Sequence, residues 1–216
     1  MKLVLMRRDF VRCQILSKKI SKRHLSGEGL EELKIKFYQF MIRYYVHEKM
    51  ILDAAKSYQI IYDTINKADE ELAKKLDITG KLKGTSFQNY TIYLLISPYD
   101  NEKVDLMHHL QDKYARELEA EDQLSRFVNK LLTFELMPLN EEEIEKQMSQ
   151  YEPMQEKTEN SKSHMREFIK QLIQHNLRVI EKYYIKINIS TLSRLIGVSE
   201  DRAEQEIGDM VVNKRI

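Results

Sequence analysis

His47 and Glu48 open the H-E-x-x-H pattern, in which two histidines one helical turn apart hold zinc and the glutamate acts as a base. Position 51 is Ile, so the second ligand is missing and zinc-peptidase chemistry is rejected. His108 and His109 are adjacent. On a helix they point about 100° apart and share no ligand face. The stretch Gly80-Lys81-Leu82-Lys83-Gly84-Thr85-Ser86 looks superficially like a phosphate loop. Such a loop needs a lysine directly before the Ser/Thr and a buried strand before the first glycine. Here Gly84 precedes Thr85, and ADEELAKKLDIT reads as a helix and its exit, so a solvated interhelical loop is expected. Cys13 has no C-x-x-C partner and no readable base. Nearby Arg12, Lys18 and Lys19 favour a somewhat lower thiol pKa, but a buried or incidental cysteine is expected. Catalytic, cofactor-binding and metal-ligating residues are therefore expected to be none.

One element has a sharper shape. Thr191–Ile196 reads as a short helix, Gly197-Val198 as a turn, and Ser199 as the N-cap of a second helix with Glu200 and Asp201 in its first turn. Ala203, Ile207 and Met210 fall on its inward side. A DNA-reading helix would carry Arg, Lys, Asn or Gln towards the groove. This one carries Glu200, Asp201, Glu204, Glu206 and Asp209 against Arg202 alone, so phosphates are repelled and a protein partner is expected. Before it, Ile185, Ile187 and Ile189 alternate with Lys186, Asn188 and Ser190, which predicts a short half-buried strand. Helix, strand, helix, glycine turn, helix is the opening of a winged-helix domain.

The elements that must position this end are helical. Leu30, Leu33, Phe37, Phe40, Met41 and Tyr44 form one stripe, and Ile35, Tyr38, Ile42 and Tyr45 a second. Two stripes mean neighbours on both sides. Ile51, Ala54, Tyr58, Ile61 and Ile65 repeat the pattern after the polar break His47-Glu48-Lys49, which predicts an antiparallel hairpin. Further helices are expected at 87–96, 102–110, 118–133, 140–151 and 164–184. Asp100 and Asn140 read as caps, and the acidic run Glu141-Glu142-Glu143 complements a helix start. Residues 153–163 (PMQEKTENSKS) read as a linker or loop. Successive double-faced hairpins describe an α-solenoid.

Composition agrees. Of 216 residues, only 6 are Gly and 3 are Pro, too few for the turns of a multi-strand fold. No uncharged run approaches the roughly 20 apolar residues of a membrane helix. MKLVLMRRDFVRC is a poor signal peptide, and a lone cysteine fits a reducing compartment. With 35 basic and 34 acidic residues, the chain lacks the global basic excess that favours nucleic acid.

A solenoid running into a winged helix resembles the PCI-domain proteins of the proteasome lid, the COP-nine signalosome and a translation initiation factor complex. The blocks KIKFYQFMIRYYVHEKMILDAAKSYQIIYDT, LLISPYDNEKVDLMHHL, KLLTFELM and HNLRVIEKYYIKINISTLSRLIGVSEDRAEQEIGDMVVNKRI carry the likeness to the proteasome-lid branch. The resemblance implies an all-α fold: a right-handed α-solenoid over 1–152, including the helical half of the PCI domain, a linker at 153–163, and a long helix plus incomplete winged helix over 164–216. It implies a non-catalytic scaffold holding neighbouring lid subunits for ubiquitin-dependent degradation. Its partners would be other PCI-containing lid subunits and the lid deubiquitinase module, in a hetero-oligomer of cytoplasm and nucleus, with neither nucleic acid nor membrane. Ile185, Ile187, Ile189, Met210 and Val211 are the candidate interface between PCI domains. Family members are longer at both ends, so the chain is expected to be a fragment. A signalosome or initiation-factor subunit, and a nucleic-acid-binding winged-helix regulator, are the alternatives.

Overall fold

The computed structural model describes residues 3–4, 7–20, 24–27, 29–77, 80–155 and 159–213. Lys214, Arg215 and parts of the opening MKLVLM lie outside them. Among the described residues there is no strand, and the expected all-α class holds. The chain divides into two compact units, Met1–Leu94 and Leu95–Ile216. That division falls after Leu94, away from the segment 153–163 read as a linker.

The first unit is built on α1 (Phe10–Lys19), α2 (Glu31–His47), α3 (Ile51–Lys67), α4 (Glu70–Leu76) and most of α5 (Leu82–Ile96). Helices α2 and α3 form the expected hairpin. Both stripes of α2 are used, since Ile35, Phe37, Tyr38, Met41, Ile42 and Tyr44 are all buried. Leu33 is the exception, at 57% exposure. The hairpin turns at Lys49, whose φ of 58° is left-handed, and the Met50 amide donates to Tyr45 O at 2.8 Å. Ala54 and Ala55 on α3 are fully buried, where small side chains allow close approach. Buried hydroxyls are satisfied along the helix: Ser57 donates to Asp53 O and Thr64 to Ile60 O. Tyr58 stacks on Tyr93 of α5 with ring centres 5.5 Å apart. Helix α1 turns Cys13, Phe10 and Ile20 onto this core.

The second unit holds α6 (Asn101–Lys113), α7 (Ala115–Glu119), α8 (Asp122–Thr133), α9 (Glu141–Met148), α10 (Glu159–Tyr183), α11 (Ile189–Ile196) and α12 (Glu200–Val212). The three caps read from sequence are in place. Asp100 accepts from Lys103 N, Asn140 from Glu143 N and Ser199 from Arg202 N. The helix expected over 118–133 divides at Ala120-Glu121 into α7 and α8. No Gly or Pro marks that break, so its periodicity reads straight through.

Two expectations are corrected here. Residues 185–189 form no strand: 184–188 are bend and coil, and Ile189 already belongs to α11. Asn188 caps that helix by accepting from Ser190 N at 3.1 Å, and Ile189, Leu192 and Ile196 follow a helical spacing. The segment 153–163 is also mostly structured. Pro153 and Met154 lie in a buried 3₁₀ turn (Glu152–Met154), and α10 starts at Glu159. His164 of α10 contacts Pro153 O at 3.1 Å, fastening the turn to the helix, and burial lowers its imidazole pKa. Residues 156–158 lie outside the described set.

Candidate functional site

The residues first singled out for chemistry are spread over unrelated elements. His47 ends α2 and Ile51 starts α3, so the H-E-x-x-H spacing spans a turn and not one helix face. The His47 ring stacks on Phe10 at 3.6 Å and its Nδ1 lies 3.0 Å from Glu48. His108 and His109 are both exposed on α6. No group of three or more His, Cys, Asp or Glu among the described residues is placed to hold a metal ion.

At Gly80–Ser86 the helix α5 begins, and its first amides are taken by the chain itself. Asp77 accepts from Leu82 N at 3.0 Å and from Lys83 N at 2.8 Å. A carboxylate therefore occupies the position a phosphate would need. Replacing Asp77 with Ala should cost about 1 kcal/mol, as loss of a helix cap does. A urea titration checks it, and an unchanged midpoint would show that the cap is idle.

Cys13 is fully buried. Burial pushes its thiol pKa up, which corrects the expectation that nearby cations lower it. Its neighbours Arg12, Lys18 and Lys19 all point into solvent.

The helix-turn-helix end is where the sequence blocks converge. Helix α10 is its platform, and a segment running from Phe134 to Asn140 is fixed along it by side chains that satisfy backbone groups. His175 Nε2 lies 3.0 Å from Glu135 O. Burial holds the His175 imidazole down to about 4, with Arg178, Lys103 and Lys182 acting in the same direction, so the ring is neutral at pH 7. The carbonyl can only accept, so the proton is on Nε2. Asn176, with no exposed surface, accepts from Met137 N at 2.9 Å and donates to Met137 O at 2.7 Å. Leu139 N then donates to Ile196 O at 2.8 Å, which ties the segment to the end of α11. Helix α11 ends at Gly197, whose φ of 85° is left-handed and whose missing side chain leaves room for Leu139.

A buried lysine serves the same architecture. Lys103 of α6 is 4% exposed and donates from Nζ to Leu95 O at 2.9 Å and Ser97 O at 2.6 Å. It thereby covers carbonyls at the C-terminus of α5, where a cation is favourable. Burial pushes its pKa down to about 7, with Arg178 adding to the effect.

Helix α12 is less available than its sequence suggests. Lys170 of α10 reaches Asp209 at 2.7 Å and Glu206 at 3.8 Å, and Gln174 donates to Glu206 at 3.2 Å. Arg202 pairs with Glu141 at the start of α9. Of the five carboxylates counted against DNA binding, Glu206 is thus buried and Asp209, half-exposed, is paired with Lys170, while Glu200, Asp201 and Glu204 remain exposed. The repulsion of phosphate rests on those three.

The five residues expected at an interface divide as well. Ile185 is fully exposed and Val211 is 59% exposed. Ile187 and Ile189 are half-buried. Met210 has no exposed surface and belongs to the core, so it is withdrawn from the set. The apolar stripe of the long helix, expected to run through Met165, Phe168, Leu172, Val179 and Tyr183, is buried up to Val179 but leaves Tyr183 76% exposed, and sequence reasoning passed over Tyr184 and Val212, which are 46% and 81% exposed. Their signal was the run Tyr183-Tyr184-Ile185 at a helix end, three large apolar residues with no periodic reason to be together.

Comparison with known proteins places the chain among relatives. Residues 1–70 match the family model described as PSMD12/CSN4, N-terminal, and residues 111–216 match the PCI domain. The chain is 30% identical over 215 residues to the 26S proteasome regulatory subunit RPN5 of Saccharomyces cerevisiae, covering 98% of this chain and 45% of the relative. It is 29% identical over 213 residues to the 26S proteasome regulatory subunit rpn501 of Schizosaccharomyces pombe, covering 97% and 45%. It is 29% identical over 225 aligned positions to the 26S proteasome non-ATPase regulatory subunit 12 of Dictyostelium discoideum, covering 100% and 45%. The chain therefore spans about half the length of the relatives it matches.

Proposed function

Because the chain belongs with the PCI-domain regulatory subunits of the 26S proteasome, carrying both the PSMD12/CSN4 N-terminal and PCI family regions, we propose that it is a non-catalytic scaffold of the regulatory-particle lid. In this reading it holds neighbouring PCI-containing lid subunits, beside the lid deubiquitinase module, for ubiquitin-dependent degradation in cytoplasm and nucleus. The observation that carries it is the collinear identity of 30% over 98% of the chain to a proteasome regulatory subunit.

The geometry supports a scaffold in a second way. Three buried polar side chains of the second unit are committed to backbone: His175 to Glu135, Asn176 to Met137, Lys103 to Leu95 and Ser97. Such groups hold a shape. Large apolar side chains, by contrast, stand out in water at Tyr183, Tyr184, Ile185, Val211 and Val212. Exposed aromatic and aliphatic residues of this kind are where partner binding concentrates. We assign the contact with other PCI domains to Ile185, Ile187, Ile189 and Val211, joined by Tyr183 and Tyr184.

Affinity purification of the tagged chain from eukaryotic cells, with quantification of co-purifying subunits, tests the reading. Regulatory-particle subunits are expected in the eluate, and Ile185→Asp with Tyr184→Asp should reduce them at least fivefold. Signalosome or initiation-factor subunits in their place would assign the chain to that complex, and recovery of none of these would end the scaffold reading.

A further inference from the structure

The net charge of +1 hides a strong polarity along the chain. Residues 1–24 hold 8 Lys and Arg against 1 acidic residue. Residues 25–94 hold 10 of each, and residues 95–216 hold 17 basic against 23 acidic. Regional asymmetry of this kind reports on partners where the total does not.

The structure shows how the basic segment is displayed. Helix α1 turns Phe10, Cys13 and Ile20 onto the α2–α3 core. Its other face carries Val11, Arg12, Ile15, Lys18 and Lys19, all exposed, with Arg7 and Arg8 exposed just before it. Val11 is 73% and Ile15 52% exposed, and they stand one helical turn apart. Arg12 lies 4.0 Å from Asp9, while Arg7, Arg8, Lys18 and Lys19 make no ion pair with another described residue. A solvated helix face has no use for an apolar pair enclosed by cations. A helix-binding face does, because apolar contact supplies affinity and flanking charge supplies orientation and encounter rate.

We propose that the outer face of α1 docks an acidic amphipathic helix of a partner protein. The apolar stripe of that helix would lie on Val11 and Ile15. Its carboxylates would meet Arg12 and Lys19, two turns apart on one side of that pair, with Arg8 before the pair and Lys18 after it. Nucleic acid fits less well, since single strands are held by stacking aromatics and Phe10 is engaged with His47. An anionic lipid surface fits less well too, because interfacial helices bury a broader apolar face than two aliphatic side chains. The inference goes beyond the lid reading and stands without it.

The test uses the full chain and a fluorescein-labelled synthetic helix with a leucine stripe flanked by glutamates. Comparison probes are its leucine-to-serine version, a short duplex RNA, and phosphatidylserine vesicles. The acidic helix is expected to bind at low salt and to weaken more than about tenfold by 0.3 M salt, where exposed charges are screened. Val11→Ser with Ile15→Ser should weaken it at least tenfold, and Arg8→Glu, Arg12→Glu and Lys19→Glu together should abolish it. Circular dichroism should show unchanged melting in each variant, and Arg12→Gln with Lys19→Gln gives a milder pair should the charge reversals unfold the helix. Equal binding of the serine version, indifference to Val11 and Ile15, or tighter binding of RNA or vesicles would overturn the proposal.

Discussion

Replacing Asn176 with Leu should lower stability by about 4 kcal/mol. Leucine has the same number of side-chain heavy atoms and the same branching as asparagine, so the loss is one of hydrogen bonding more than of packing. The Asn176 amide accepts from Met137 N and donates to Met137 O, and its side chain is fully buried. Leucine leaves both Met137 groups without a partner where water is excluded. Each buried orphan costs roughly 1–3 kcal/mol, against about 1 kcal/mol for a typical net hydrogen bond. Aspartate is expected to be no rescue. It could still accept from Met137 N, but it would set a buried charge against Met137 O. The reading is chemical unfolding together with amide exchange at Met137. A loss below about 1 kcal/mol, with Met137 exchange unchanged, would show that the 134–140 segment is held by something else.

Gly197→Ala should cost roughly 2–5 kcal/mol. Gly197 has φ of 85°, where an added Cβ carries a penalty of about 1–2 kcal/mol. That Cβ would also sit 2.8 Å from Leu139 O and 3.0 Å from Leu139 N, closer than side-chain carbons approach backbone. Overpacking of this sort costs typically about 1–3 kcal/mol. Leu139 cannot step back freely, because its amide donates to Ile196 O at 2.8 Å. Gly208 in the middle of α12 is the control in the same experiment. A Cβ there meets nothing within 4 Å, so Gly208→Ala should be neutral or stabilising by up to about 1 kcal/mol. Equal melting temperatures for the two variants would mean that Leu139 is not packed against the turn.

Local signals were readable wherever cause and effect lie within one helical turn. Asp100, Asn140 and Ser199 cap the helices they precede, and the double stripes of α2 are buried as their spacing requires. Failures occur where the deciding partner is distant or the pattern is short. Three isoleucines alternating over 185–189 satisfy a two-residue period, yet a five-residue window also satisfies the start of a helix, and Asn188 settles it by capping. The segment 153–163 looks polar enough for a linker, but Pro153 and Met154 are core because His164 anchors them. Asn176 left no mark at all. Its partner is 39 residues away, and beside Gln171, Gln174, His175 and Arg178 on the same helix one more polar residue does not stand out. Cys13 is buried as expected, but its thiol pKa is raised where the nearby cations suggest a lowering, because charged neighbours are visible in sequence and the depth of burial is not.

Helix α12 separates two kinds of heritable change. Glu206 and Asp209 are engaged by Lys170, so altering them disturbs the platform itself. Glu200, Asp201, Glu204 and Gln205 are exposed and engaged by none of the ion pairs among the described residues, so lineages can exchange them at little cost to the fold. After gene duplication, two copies can therefore diverge in the surface α12 presents while keeping one common interior. The division gives selection a set of positions where a new binding preference arises without first surviving a folding defect.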